Sequence, residues 1–185
     1  MRDLIVTQNI TVDGVIEARD NWFGPANFED QDDVAAVLRE QSAAADAVLF
    51  GRTTFEQMRS FWPHQTDDRT GVHAYLQQVR KYVVSSTLGD PDWQHSTVLR
   101  GPLADEVAAL KAAPGRDIVC TGSITLVHGL IAAGLVDEFR LFTYPVVIGR
   151  DRRRLFEDPA DYSRLELVQC RSFKAGIVLL RYRAS

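Results

Sequence analysis

Three short stretches of this chain set small, hydroxyl-bearing and cationic residues where an anion could be held. Gly51-Arg52-Thr53-Thr54-Phe55-Glu56 follows an apolar run at 47–50, Ser85-Ser86-Thr87 follows a buried-type strand at 81–84, and Thr121-Gly122-Ser123 follows a second apolar run at 118–120. A buried strand that breaks at glycine or a hydroxyl and runs straight into a helix leaves the first backbone N–H groups of that helix free. Their partial positive charge suits a phosphate. At 51–54 the chemistry is sharpest, because a guanidinium and two hydroxyls add charge-assisted and neutral donors. Each stretch also has a plainer explanation. Thr53 or Thr54 could only cap a helix, 85–87 could be a solvated turn, and Gly122 could simply make a tight corner. No full G-x-G-x-x-G occurs to decide between them.

The elements that would position these residues follow from periodicity. A first strand covers 4–10, and Asp13-Gly14 is a strong turn dipeptide before Val15-Ile16. A polar loop at 17–27 carries Trp22. The acidic cluster 29–33 precedes a helix striped by Val34, Val37 and Leu38, which suits its macrodipole. Pro102 reads as the first helical residue of 103–113. After Ser123, placed as an N-cap, Leu126, Val127, Leu130 and Ile131 share one helix face up to the stop at Gly134. In the strand 136–144, Phe139, Leu141 and Thr143 point one way and Glu138, Arg140, Phe142 and Tyr144 the other. The end of the chain reads as a hairpin, 164–173 and 177–183, turning at Lys174-Ala175-Gly176. Strands alternating with helices, closed by a hairpin, predict an α/β three-layer sandwich on a mixed sheet. At 185 residues, a single domain is expected.

Bulk properties narrow the classes. The chain is 45% hydrophobic and 25% charged, with net charge −4. That balance argues against nucleic-acid or membrane-surface partners, which favour basic patches. No apolar run could span a bilayer and the first residues lack a signal-peptide pattern, so a cytoplasmic protein is expected. Cys120 and Cys170 each fall in a predicted strand without CxxC or Cys/His spacing. Two buried, reduced thiols and no metal centre are the expectation.

The sequence TGS-x-x-L followed by GLVDEFRLFTYPVVIG resembles the reductase domain of the bacterial riboflavin-biosynthesis deaminase–reductase and its stand-alone relatives, of the dihydrofolate reductase-like fold. GRTTFE is similar to the G-R-x-T-[WF]-E motif of those families, and VDGVI followed by Trp22 resembles the start of dihydrofolate reductases. The resemblance implies an NADPH-dependent reductase that transfers a hydride to a small heterocyclic or ribosylamino-pyrimidine-like substrate. Arg52, Ser85 and Ser86 would then meet the adenosine 2′-phosphate, Thr54 the pyrophosphate or nearby ribose, and Thr53 would also bind the cofactor. Thr121, Gly122, Ser123, Ile124, Thr125 and Leu126 would complete the cofactor site. Asn9, Trp22 and Asn27 would face the substrate, and a homodimer paired through sheet edges is expected.

Departures from the pattern shape the rest. Where the folate enzymes place a buried acid five residues after the loop tryptophan, this chain has Asn27, although Thr143 matches the threonine that pairs with that acid. Asp30, and after it Asp13, are the alternative acids. Asp151 stands where relatives carry a second glycine, and the arginines of the 150–154 loop could bind a substrate phosphate or be solvated. No H-x-E…P-C-x-x-C deaminase signature occurs. A non-catalytic NADPH-binding protein, a pyrimidine reductase using the 150–154 loop, and a true dihydrofolate reductase, which Asn27 disfavours, are the other readings.

Overall fold

A computed structural model describes residues 1–24, 27–68, 70–157 and 164–184. Its strands are β1 (Leu4–Thr11), β2 (Ala45–Gly51), β3 (Arg80–Val84), β4 (Ser96–Leu99), β5 (Asp117–Cys120), β6 (Glu138–Tyr144), β7 (Leu165–Ser172) and β8 (Val178–Ala184). Its α-helices are α1 (Asp32–Ala44), α2 (Arg52–Phe61), α3 (Val72–Gln78), α4 (Leu103–Ala112) and α5 (Ile124–Ala132). The strands form one sheet in the order β4-β3-β2-β5-β1-β6-β8-β7. β1 to β6 run parallel, and β8 adds antiparallel to β6 with β7 at the edge.

Alternation along the strands divides the core. Leu4, Val6, Leu49, Ile118, Cys120, Phe139 and Leu141 pack against Val107 and Leu110 of α4 and against Leu126, Val127 and Leu130 of α5. On the opposite face Val48, Phe50 and Val83 meet Phe55 of α2 and Leu76 of α3, while Phe142 and Tyr144 meet Val34 and Val37 of α1. A sheet covered on both sides needs apolar residues in both phases, which is why the central runs are short and continuous rather than alternating. The expected three-layer α/β/α sandwich with a mostly parallel mixed sheet and a C-terminal antiparallel hairpin is the observed one.

Two groups of buried charge are built into these layers. Glu138 is 3% exposed, and its Oε1 accepts from Arg140 Nε and Arg181 Nε, both at 2.7 Å. Burial raises its carboxyl, but those guanidiniums outweigh it and hold the group below the ordinary glutamate value. Lys81 is fully buried. It donates to the carbonyls of Leu76 and Val79 at 2.6 and 2.9 Å and lies 4.8 Å from the Trp93 ring centroid. With no anion to repay desolvation, its ammonium drops to about 8.

Some expectations are corrected. Cys120 is buried, and burial pushes its thiol up to about 12, but Cys170 is exposed. The reason is that β7 is an edge strand that no helix covers, so seven of its eight residues are exposed. Pro102 lies before α4 as its N-cap, with extended ψ of 135°, rather than inside the first turn. Val119 is only half-buried, because on its side the sheet faces a cavity instead of a packed helix.

Candidate active site

β2 and β5 are parallel neighbours, yet the helices that follow them lie on opposite faces of the sheet. A crevice opens at the carboxyl ends of such a pair. One wall is the start of α2, entered from Gly51, and the other is the start of α5, entered from Gly122 and Ser123. The two turns are tied together, since the N–H of Gly51 donates to the carbonyl of Gly122 at 3.0 Å. Gly122 has φ +138°, and a Cβ there would lie 2.8 Å from Thr54 Oγ1, so glycine is required on both counts. Neither helix start is capped by a side chain. The expected N-cap Ser123 holds the position but not the hydrogen bond. Both positive helix ends therefore border one cleft with donors to spare.

This cleft has a volume of about 610 Å³. Thr53, Thr54, Thr121, Gly122, Ser123, Ile124 and Thr125 line it together with Asn9, so the structure brings these sequence-predicted residues into one cleft. Gln8 and Glu17, which the sequence does not single out, also line it, as does Arg153 of the 150–154 loop, whose arginines were candidates for a substrate phosphate. Gln8 is 8% exposed, and its Nε2 has no hydrogen-bond partner. The Arg153 guanidinium stands 3.4 Å from both Thr125 Oγ1 and His128 Nδ1, beside the α5 start. In the sequence Gln8 reads only as an inward strand residue, and Arg153 as one of four arginines in a loop. Of the loop's other arginines, Arg152 pairs with Asp20 at 2.6 Å, and Arg154 donates to the carbonyls of Asp13 and Gly149.

A second cavity, of about 320 Å³, continues from the first and shares Asn9, Phe23, Met58 and Thr121 with it. It runs between the sheet and the α1–α3 layer, with Val48, Val119, Phe142 and Tyr144 on the sheet side and Val34 and Leu38 on the helix side. Burial pushes the Tyr144 hydroxyl up to about 12, so it stays neutral. Another depression, of about 1010 Å³ between Arg59, Asp92 and Trp93, shares no residue with either.

The remaining expected residues sit elsewhere. Gly51 pairs in register with Val84, so the turns after β2 and β3 are adjacent and Arg52 stands near Ser85 and Ser86. Arg52 Nη1 donates to Thr87 Oγ1 at 2.8 Å and its Nε to Glu56 at 2.9 Å. This group forms a rim beside the cleft and does not line it. Ser85 Oγ accepts from the N–H groups of Thr87 and Leu88, which holds its own turn, and Ser86 is exposed. The Leu126 side chain packs into the core under α5. Trp22 is buried edge-on against Phe23 and Tyr144, with Nε1 donating to the carbonyl of Glu17, and its neighbour Phe23 reaches the cavities instead. Asn27 is exposed and donates to the carbonyl of Asn21.

The proposed acids also lie outside. Asp30 is exposed and pairs with Lys174 at 3.2 Å. Asp13 accepts from Thr11 Oγ1 at 2.6 Å and from the N–H groups of Gly149 and Ile148, at 2.8 and 3.3 Å. Led by the Thr11 hydrogen bond, these contacts hold its carboxyl below the usual aspartate value, so it fastens two loops as an anion. Thr143 lies on the α4–α5 side of β6, opposite in phase to the cavity-lining Phe142 and Tyr144.

The sequence profile of the RibD C-terminal domain matches residues 2–179. The chain belongs to that family. Its relatives include the uncharacterized Bacillus subtilis protein YyaP, 31% identical over 183 residues that cover 98% of this chain and 94% of YyaP. Solved structures of like fold include a pyrimidine reductase-like protein of Corynebacterium diphtheriae, with 18% identity, TM-score 0.70 and coverage of 100% and 92% of the two chains. A Shewanella sp. PV-4 protein assigned provisionally to riboflavin biosynthesis has 16% identity, TM-score 0.78 and 99% coverage of both chains. Acinetobacter baumannii RibD has 16% identity and TM-score 0.62, and this chain spans 58% of its length. The fold of this RibD C-terminal domain is thus the dihydrofolate reductase-like one. Among its described residues no helix is long and apolar enough to cross a membrane, and no group of three His, Cys, Asp or Glu could hold a metal ion.

Proposed function

We propose that this protein is an NADPH-dependent reductase of a small organic substrate. One observation carries the reading. Two uncapped helix starts face a single crevice whose floor holds a buried, unpartnered amide, Gln8 Nε2. Nature rarely leaves such an atom unpaired unless a ligand completes it. Membership of the RibD C-terminal family and the reductase-like neighbours support the same reading.

The residues fit a dinucleotide in segments. Thr53, Thr54 and the 123–125 backbone suit the pyrophosphate, with Arg153 adding charge from the 150–154 loop. Arg52 and Thr87 at the rim suit a 2′-phosphate, which is the basis for choosing NADPH over NADH. The nicotinamide supplies a hydride when bound, and Gln8 suits its carboxamide. Asn9, Phe23, Met58 and Thr121, where the two cavities meet, orient the acceptor and keep bulk water away. The acceptor is reduced at a C=O, C=N or C=C bond, and a proton from water in the cleft completes the two-electron change. We further assign the exposed edge strand β7, with Leu167 and Val168 54% and 47% exposed, as the pairing edge of a homodimer.

Titration of NADPH fluorescence, followed by oxidation assays against dihydrofolate and the deaminated riboflavin precursor, tests the reading. Tight NADPH binding with turnover of some acceptor is expected. Binding without turnover of any acceptor would favour a non-catalytic nucleotide-binding role, which the absence of a carboxylate from the inner cavity also fits.

A further inference from the structure

The inner cavity tells what class of acceptor it takes. Arg140 is the charged residue among its wall residues, and it is already balanced. Its Nε donates to Glu138 at 2.7 Å and its Nη2 lies 3.7 Å from Asp117. Every other polar residue of the wall is an uncharged hydroxyl, amide or indole. A phosphate or carboxylate entering here would lose its water and meet no free cation, with Glu138 and Asp117 close behind the wall. A cationic group would likewise find no carboxylate lining the space. The walls are otherwise aliphatic and aromatic, as at sites for neutral ligands.

One fully buried polar atom of a wall residue lacks a partner. The Tyr75 hydroxyl of α3 is buried and makes no hydrogen bond, and burial, with Asp46 nearby, keeps it neutral at any ordinary pH. Tyr75 projects from the helix layer, whereas Asn9 and Thr121, at the junction with the cleft, belong to the sheet side. A ligand whose reducible bond sits at the junction therefore has its far end against the helix layer that carries Tyr75.

We propose that the inner cavity selects an uncharged, largely apolar ring compound, unphosphorylated and carrying one hydrogen-bonding group for the Tyr75 hydroxyl away from its reducible bond. This rests on the reductase reading for the redox step, but the binding claim stands separately from it. Tyr75 is a specificity-determining residue here.

The test compares a methoxytetralone, a neutral bicyclic ketone with an acceptor oxygen at its far end, with the matching carboxytetralone and with the phosphorylated ribitylamino-pyrimidine. Affinities are measured by calorimetry on the full chain, with and without NADPH. The neutral ketone is expected to bind at least tenfold more tightly than either anion. Tyr75→Phe should weaken it at least fivefold while NADPH affinity and the melting temperature stay unchanged. Equal or tighter binding of either anion, no binding of the ketone, or an unchanged affinity in Tyr75→Phe would overturn the proposal. The wild-type comparison needs no variant to fold. If NADPH itself fails to bind, the reductase reading falls, while the ketone's affinity for the cofactor-free protein still decides this one.

Discussion

The backbone N–H of Gly51 donates to the carbonyl of Gly122 across 71 residues of sequence at 3.0 Å, so the two strand-to-helix turns of the cleft are one structure. A methyl group on Gly122 would be strained by φ +138° and would press on Thr54 Oγ1, whose β-branched side chain has little room to turn. Gly122→Ala should therefore destabilise the fold by about 1–3 kcal/mol and weaken NADPH binding more than tenfold. Thermal melts and fluorescence titration measure the two effects. An unchanged affinity would mean that the turn does not border the nucleotide.

The two cleft-side arginines are expected to differ in which nucleotide they serve. Arg52→Ala should weaken NADPH binding by about 1.5–3 kcal/mol and leave NADH almost untouched, since it stands at the rim with Thr87. Arg153→Ala should weaken both nucleotides alike, because it faces the α5 start. A matched titration of both nucleotides separates the roles, and equal losses for Arg52→Ala would remove its 2′-phosphate assignment.

Glu138 neutralises two guanidiniums inside the fold, and removing it would leave both unpaired. Glu138→Ala should cost about 3–5 kcal/mol in a urea unfolding experiment at pH 7. Because its native pKa is held below the ordinary 4.5, the unfolded chain binds more protons at acid pH. The Glu138 contribution is therefore complete above about pH 4.5 and fades as pH falls through the native value. The difference between wild type and variant should shrink on acidification.

Lys81 has the opposite consequence at alkaline pH. Its native value of about 8 lies below the ordinary 10.5, so between these the unfolded chain keeps a proton that the native state has released. Its contribution to stability then rises with pH across that window. Stability of wild type relative to Lys81→Met, measured by urea midpoints from pH 7 to about pH 10, should increase. A flat difference would show that the buried ammonium titrates normally.

β7 is the last of these cases. If it pairs two copies, Leu167→Asp should shift the protein from dimer to monomer in sedimentation without lowering its melting temperature by more than a few degrees. A wild-type monomer at micromolar concentration would dismiss the edge-strand dimer.

Local pattern was enough for much of the fold. The runs at 47–50, 81–84 and 118–120, each stopped by glycine or hydroxyls, announce buried parallel strands, the first and last followed by helices, and the strands begin and end within two residues of those runs. Gly51 and Gly122 stand out because backbone geometry and close approach are written directly in residue type. The acids were not legible in this way. Asp13 and Asp30 look alike as loop carboxylates, and only the fold shows one bound to Thr11 and the 148–149 backbone and the other on the surface beside Lys174.

Gln8, Arg153 and Tyr75 define the other limit. Nothing adjacent in sequence marks Gln8 or Tyr75, and the arginine cluster does not say which of its members turns inward, because their meaning lies in what is missing around Gln8 Nε2 and the Tyr75 hydroxyl and in which wall the Arg153 side chain reaches. Residue type and spacing by themselves determined the layers, the parallel strands and the two phosphate-suited turns, since these follow from periodicity and from what glycine permits. Only the tertiary structure decided which side chains share the cleft, which turn away, and that the inner cavity is neutral, since burial and pairing depend on chain segments far apart in sequence.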